Sequence, residues 1–316
     1  MSKIEIIMYH YVRSKNYSKY KKLNYLDFKS FKKQLDYLED NYNVLDPSIL
    51  TQKKTNIPKK SCILTFDDGY KDHIDFVFPE LKKRGVKGIF FPTGITTLEN
   101  KILDTNLVQH ILSVNKNKYF LIKEVETLCI ENGLSKIDFY KKYMKYSVNP
   151  KKKSTKPTNR YDDQNTIFLK RILQFGLEKS LREKIVKILF KKYIKIPINK
   201  FSKNFYLNKD DINKLLDNEM MIGSHTFNHV WLGYLSKQEQ FKEIKQSIEF
   251  LNYFKVSTNN WVMCYPFGSY NSNTIKVLKK LNCSSAVTTK SKIADLNAKK
   301  IFELPRKDTN DYKDFY

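Results

Sequence analysis

The chain has 316 residues and a formal net charge of +25. Hydrophobic residues make up 41% of it, which fits a folded globular protein and argues against a disordered one. No apolar run approaches bilayer length, so no transmembrane helix is expected.

Ile4 to Met8 is a short apolar run that turns polar too soon for a secretory leader. It reads as a first buried strand ending at Tyr9-His10. Phe28, Phe31, Leu35 and Leu38 recur at helical spacing and mark one helix face. Cys62 to Phe66 predicts a buried strand that delivers Asp67 and Asp68 to its end, just before Gly69. Ile74 to Arg84 predicts a helix stopped by Gly85, and Lys87 to Pro92 a further strand. This β-α-β order implies parallel strands with active-site loops at their C-terminal ends.

Between about residues 98 and 203 the pattern changes. Segments near 104–114, 121–132, 135–146 and 164–194 have helical spacing, and Asn149 to Pro157 reads as an exposed polar loop. The stretch is too long for a structureless loop and predicts a helical insertion. Strand and helix then alternate again. A helix is expected over Asn208–Asn218, a strand over Met220–Ser224 carrying His225, and a helix with Phe241, Ile244, Ile248 and Leu251 on one face. A strand over Trp261–Tyr265, a helix over Ser272–Leu281 and a strand near Ser285–Thr289 complete the pattern. The expected domains are therefore 1–97 with 204–316, and the inserted 98–203.

From Lys101 to Lys203 there are 24 lysines and arginines against 9 acidic residues. Lys, Asn and Ile are abundant throughout, so composition alone is one cause. Attraction to something anionic is the other: a nucleotide-sugar, a lipid-pyrophosphate glycan or a membrane face. No nucleic-acid motif is present, and no nucleic-acid partner is expected. The four cysteines form no C-x-x-C pair and read as reduced core residues. The early polar turn after Ile4–Met8 leads to an expected location in the cytoplasm, with the basic segment suited to the inner membrane face.

Two stretches carry chemistry. Thr65-Phe66-Asp67-Asp68-Gly69-Tyr70 sets adjacent carboxylates at a strand end, where the bend into Gly69 lets both reach one cleft. Ser224-His225-Thr226-Phe227-Asn228-His229 holds two of the five histidines at i and i+4, a spacing that places both imidazoles on one helix face. One Asp and two His make a three-ligand metal set with positions left for water and substrate, and the spare Asp can act as a base. The pattern reads as a metal-dependent hydrolase.

These motifs resemble those of the polysaccharide deacetylases of the NodB-homology type, carbohydrate esterase family 4. Met8-Tyr9-His10, Tyr265-Pro266-Phe267-Gly268 and Leu304-Pro305-Arg306 are similar to further family segments. The likeness covers about residues 4–98 and 204–308. It implies an α/β fold, a distorted (β/α) barrel of about seven parallel strands carrying the large helical insertion. It implies Asp67 as catalytic base, and Asp68, His225 and His229 as ligands of one divalent metal: zinc first, with cobalt, nickel or manganese as alternatives. The implied reaction is hydrolysis of the N-acetyl group of an amino sugar, in a nucleotide- or lipid-linked precursor of capsule, lipopolysaccharide or another surface glycan. Tyr265 and Phe267 would lie at the substrate and oxyanion position.

Two departures matter. Cys264 stands where many members carry the arginine that holds the catalytic Asp, and Arg306 is the expected replacement. No His follows His229, so the late general acid is missing; His10 is either its substitute or a structural residue beside Tyr9. His73 and His110 read as surface or packing residues. Removal of another acyl group on the same scaffold, and a catalytically weak glycan-binding protein, are the competing readings.

Overall fold

A computed structural model describes residues 3–14, 23–52, 57–143, 162–297 and 300–315. The chain divides into two compact units, one of Met1–Ser18, Tyr25–Lys101 and Ser202–Tyr316, the other of Lys19–Asn24 and Ile102–Phe201.

The first unit is built on parallel strands. Strand Ser61–Asp68 is central: it pairs in parallel with Lys3–Tyr9 on one side and Gly88–Pro92 on the other. Gly88–Pro92 pairs with Met221–Ile222, and a parallel bridge joins Ser224 to Met263 of strand Trp261–Cys264. That strand pairs with Cys283–Val287, whose last residue bridges to Leu304. Lys307 and Asp308 then pair in parallel with Ile7 and Met8 of the first strand. The pairings run in a circuit and return to their start, as in a distorted β/α barrel with two weak seams.

Alternation along the strands sorts their side chains into two layers. Ile4, Ile6, Ile63, Ile89, Phe91, Val262, Cys264, Val287 and Leu304 pack together as one buried cluster. Ile7, Leu64, Phe66, Phe90, Ile222, Trp261 and Met263 belong to the other, with Phe31, Leu35, Ile212, Leu215, Ile244, Leu251 and Val277 from the helices. Asp67 follows Ile63 and Thr65 by steps of two and shares their side. Arg306 stands in the same relation to Leu304.

Helices close the alternation as the periodicity predicts. Phe28–Asn41 buries Phe31, Leu35 and Leu38 and is capped by Asp27. Lys209–Asp217 and Lys237–Tyr253 each open with a reciprocal capping box, from Asn208–Asp211 and Ser236–Glu239. The segment after the Asp pair differs from expectation: it begins with a π-helical turn, His73–Val77, before the α-helix Phe78–Arg84 ends at left-handed Gly85.

The second unit is helical: Asp104–Val114, Lys118–Glu131, Lys136–Tyr143, Gln164–Arg171 and Lys179–Ile194 surround a core of Val108, Ile111, Val125, Cys129, Leu169, Ile172, Leu189 and Phe190. The continuous helix expected over 164–194 is broken. A π-helical turn, Ile172–Gly176, intervenes, and Glu178 caps a new helix by accepting from the Ser180 and Leu181 N–H groups. The polar stretch 149–157 lies outside the described residues. Among those described, no helix is long and apolar enough to cross a membrane.

Candidate metal centre and active site

The Asp67-Asp68-Gly69 bend solves a geometric problem. In regular strand the two carboxylates would face opposite sides. Asp68 instead takes φ 71°, and Gly69 follows at φ 66°. A Cβ on Gly69 would stand 2.7 Å from Pro92 Cβ and 2.8 Å from its Cα, so only glycine lets the bend pass so close to the next strand. Both carboxylates are thereby buried at one strand end.

Asp68 faces the two histidines. Its Oδ1 lies 3.2 Å from His225 Nε2 and 3.2 Å from His229 Nε2, and the Tyr70 hydroxyl donates to its Oδ2 at 2.5 Å. The histidines do not share a helix face as expected. They lie on an irregular loop after Met221–Ile222, and left-handed Thr226 (φ 61°) and His229 (φ 55°) fold it back so that the rings meet at 4.9 Å. Ser224 Oγ accepts from the Thr226 N–H, and Glu243 accepts from the Asn228 backbone and side chain, which keeps the loop from continuing as helix.

His225 Nδ1 donates to the Cys264 carbonyl at 2.8 Å, which leaves the Nε2 lone pair facing Asp68. Asp68, His225 and His229 thus offer ligand atoms within 4.8 Å of one another, a donor set that fits a divalent cation. Asp67, His225 and Cys264 also cluster, but Asp67 is already engaged by Arg306 and the His225 Nδ1 by a carbonyl. Burial alone would raise the Asp68 carboxyl; the two imidazoles outweigh it and hold it well below the usual range.

Asp67 has a different partner. Arg306 donates Nη1–H to Asp67 Oδ1 at 2.7 Å and Nη2–H to Oδ2 at 2.6 Å. The remaining donors reach the Thr288 carbonyl (Nε, 2.9 Å), Thr65 Oγ1 (Nη1, 3.0 Å) and Cys264 Sγ (Nη2, 3.3 Å). A fully buried guanidinium is tolerable only when satisfied in this way. Burial pushes the Asp67 carboxyl up, but the Arg306 charge and hydrogen bonds prevail and lower it to about 2.

His10, just past the first strand, is 42% exposed at its side chain and brings Nε2 to 3.8 Å from Asp67 Oδ2. Phe267 adopts φ 58° in the Pro266–Gly268 turn; its ring stacks on Trp231 at 4.2 Å and meets His229 edge-on at 4.7 Å. Tyr265 is placed otherwise. Its ring is buried, its hydroxyl donates to the Phe302 carbonyl and its N–H to the Val287 carbonyl, so its polar groups serve the core. His73 and His110 are both buried; of the two roles expected for them, packing fits and surface does not. Tyr70 and His73 were not among the expected site residues. Tyr70 directly follows Asp-Asp-Gly, the one signal that could have drawn attention to it.

The polysaccharide deacetylase family pattern matches residues 54–115 and 162–286. The chain belongs to the polysaccharide deacetylase family, hydrolases that remove acetyl groups from sugars. YxkH of Bacillus subtilis (strain 168), which carries the polysaccharide deacetylase name, is 38% identical over 99 residues; the match covers 29% of this chain and 33% of YxkH. Among solved structures, the Streptococcus pyogenes deacetylase PplD in complex with acetate aligns at TM-score 0.57 and 19% identity, over 97% of this chain and 92% of PplD. IcaB from Ammonifex degensii aligns at TM-score 0.55 and 14% identity, over 97% and 91%. At these identities the structural likeness establishes the fold, a NodB-type deacetylase fold.

Proposed function

We propose that the chain is a metal-dependent N-deacetylase acting on an amino sugar in a surface-glycan precursor, with release of acetate. The observation that carries this reading is the pairing of two differently prepared carboxylates: Asp68 facing two imidazoles at 3.2 Å, and Asp67 fixed by Arg306. In this reading Asp68, His225 and His229 hold one divalent metal, zinc in first place. A bound cation supplies Lewis-acid polarisation of the acetyl carbonyl and a more acidic water.

The protein's own groups do the rest. Asp67, kept ionised and oriented by Arg306, accepts the proton of the attacking water. In this reading the Phe267 backbone N–H, in its left-handed turn beside His229, serves the oxyanion. His10, close to Asp67 and open to solvent, protonates the departing amine. The solved PplD complex with acetate fits a product of this kind.

The basic stretch 98–203 forms, in this proposal, the part that meets an anionic carrier. A nucleotide- or lipid-pyrophosphate linkage and the inner membrane face both suit its charge. The test is to incubate zinc-loaded protein with UDP-linked and lipid-linked N-acetyl sugars and follow acetyl loss by mass spectrometry. Loss of a formyl or longer acyl group instead would move the reading to another amidohydrolase. Binding without any acyl loss would make the chain a glycan-binding protein.

A further inference from the structure

His73 is a fully buried histidine that the chemistry above leaves unused. It opens the π-helical turn after the Asp67-Asp68-Gly69 bend, and its ring sits among Phe66, Tyr70 and Phe90 at 5.7–5.8 Å. Only one of its nitrogens has a partner among the described residues. Nε2 lies 2.9 Å from the His10 carbonyl, and Nδ1 is buried without a hydrogen bond. A carbonyl only accepts, so the proton must sit on Nε2 and the bond is a donation to His10. Burial lowers the His73 pKa to about 4, so the ring is neutral and this tautomer persists at neutral pH.

His10 stands just beyond the strand Lys3–Tyr9, where the ladder with Ser61–Asp68 has ended at the Tyr9–Phe66 pair. Val12 and Arg13 pair onward with Leu26 and Asp27, so His10 lies between two ladders and belongs to neither. Three contacts from one turn reach this segment: the His73 donation to His10, the ring of Tyr70 stacked on Tyr11 at 3.9 Å, and Asp72 accepting from Arg13 at 2.8 Å. Tyr70 also donates to Asp68. The turn Tyr70–His73 therefore ties the segment 10–13 to the same bend that presents both carboxylates.

We infer that His73 is a positioning residue that fixes the His10 backbone, and so holds the exposed His10 imidazole opposite Asp67. The inference rests on the His10 role proposed above, but its structural half is testable without turnover. His73→Gln keeps an N–H donor near the Nε2 position; His73→Leu keeps an apolar filling and removes the donor. The imidazole resonances of histidine-labelled protein would be compared by NMR, with His10→Gln to identify the His10 signal and zinc content measured as a control.

The expected result is a displaced His10 signal in His73→Leu and a near-native one in His73→Gln, with zinc content unchanged in both. On an active substrate, kcat in His73→Leu should fall by about 10²-fold, the scale of a 1 Å misplacement, with KM little changed, and His73→Gln should recover most of the loss. A His10 signal in His73→Leu identical to wild type would overturn the inference, as would equal damage in both variants. If wild type itself turns over no N-acetyl sugar, the deacetylase reading fails, and the NMR comparison still decides the role of His73.

Discussion

Arg306 and Asp67 lie 239 positions apart and meet as a two-toothed ion pair, with N–O distances of 2.7 and 2.6 Å. The pair does two things at once: it orients the carboxylate and keeps it charged in a buried place. Replacing Arg306 with Met leaves burial opposed only by the weaker pull of His10 and His225, so the Asp67 carboxyl rises from about 2. The acid limb of kcat/KM should move to higher pH, and stability should fall by roughly 3–5 kcal/mol in urea titration. Arg306→Lys should repair the charge but not the fork, leaving most of the rate loss in place. An unmoved acid limb in Arg306→Met would show that the pair does not set the ionisation of Asp67.

Asp67→Asn separates the proposed base from the proposed metal ligands. Metal content should stay near wild type while turnover falls on the order of 10²–10⁴-fold. Elemental analysis and single-turnover kinetics on the same preparation check both halves. A variant that keeps its rate would remove Asp67 from the chemistry.

The three proposed ligands predict the opposite pattern. Asp68→Ala, His225→Ala and His229→Ala should each lower zinc content, because each leaves only two of three donors. Thermal unfolding with and without added zinc gives an independent reading: the stabilisation by excess metal should shrink in all three. A His225→Ala/His229→Ala double variant with full zinc occupancy contradicts the ligand set.

The buried histidine gives a pH signature in stability. His73 has a folded pKa of about 4, below its ordinary 6.5, so the unfolded chain binds the extra proton between these values. Its contribution is present above pH 6.5 and is lost as pH falls toward 4. Asp72, raised by burial to about 6, works in the opposite sense, since the folded state takes up its proton first. The net slope of wild type is therefore a poor probe. The difference between wild type and His73→Leu should isolate it, shrinking steadily from pH 6.5 to 4 in urea midpoints. A pH-independent difference would contradict the lowered pKa.

The basic stretch predicts salt-sensitive association with anionic surfaces. Flotation with phosphatidylglycerol vesicles should carry the protein at low salt and release it at high salt, and neutral vesicles should not bind. Equal binding to neutral vesicles would remove charge as the cause.

Much of the barrel was legible because short apolar runs and helical spacing are local signals. The strand before Asp67 and the helix with Phe31, Leu35 and Leu38 follow from residues within a few positions of one another. The histidine loop was misread for a physical reason. A spacing of four fits one helix face, but positive φ at Thr226 and His229 brings the rings together by a different route, and no side-chain type announces it. The break at Gly176–Glu178 needed the capping carboxylate to be seen against the helical pattern. Tyr265 sat inside a recognisable motif, yet strand alternation sent its ring to the core while Cys264 took the inner face. The meeting of Arg306 with Asp67 was expected from chemical need; the satisfaction of all five guanidinium donors also depends on Thr65, which lies in the Asp-pair motif, and on Cys264 and Thr288, whose residue types do not announce the role.

The circuit of strands has a consequence for the order in which the molecule is made. Asp67 emerges early in synthesis, and its counter-ion lies 239 residues later, beyond the bridge from Val287 to Leu304 that forms one weak seam. Until that last stretch docks, the early carboxylate lacks the charge that lets it be buried ionised, and it must stay hydrated or take a proton. The nascent chain can thus build its first strands and helices, yet the proposed centre comes into being only when the ring of strands is shut. With Asp67 as the proposed base, catalytic competence and completion of the fold would become one event, and a half-made chain would carry no armed carboxylate.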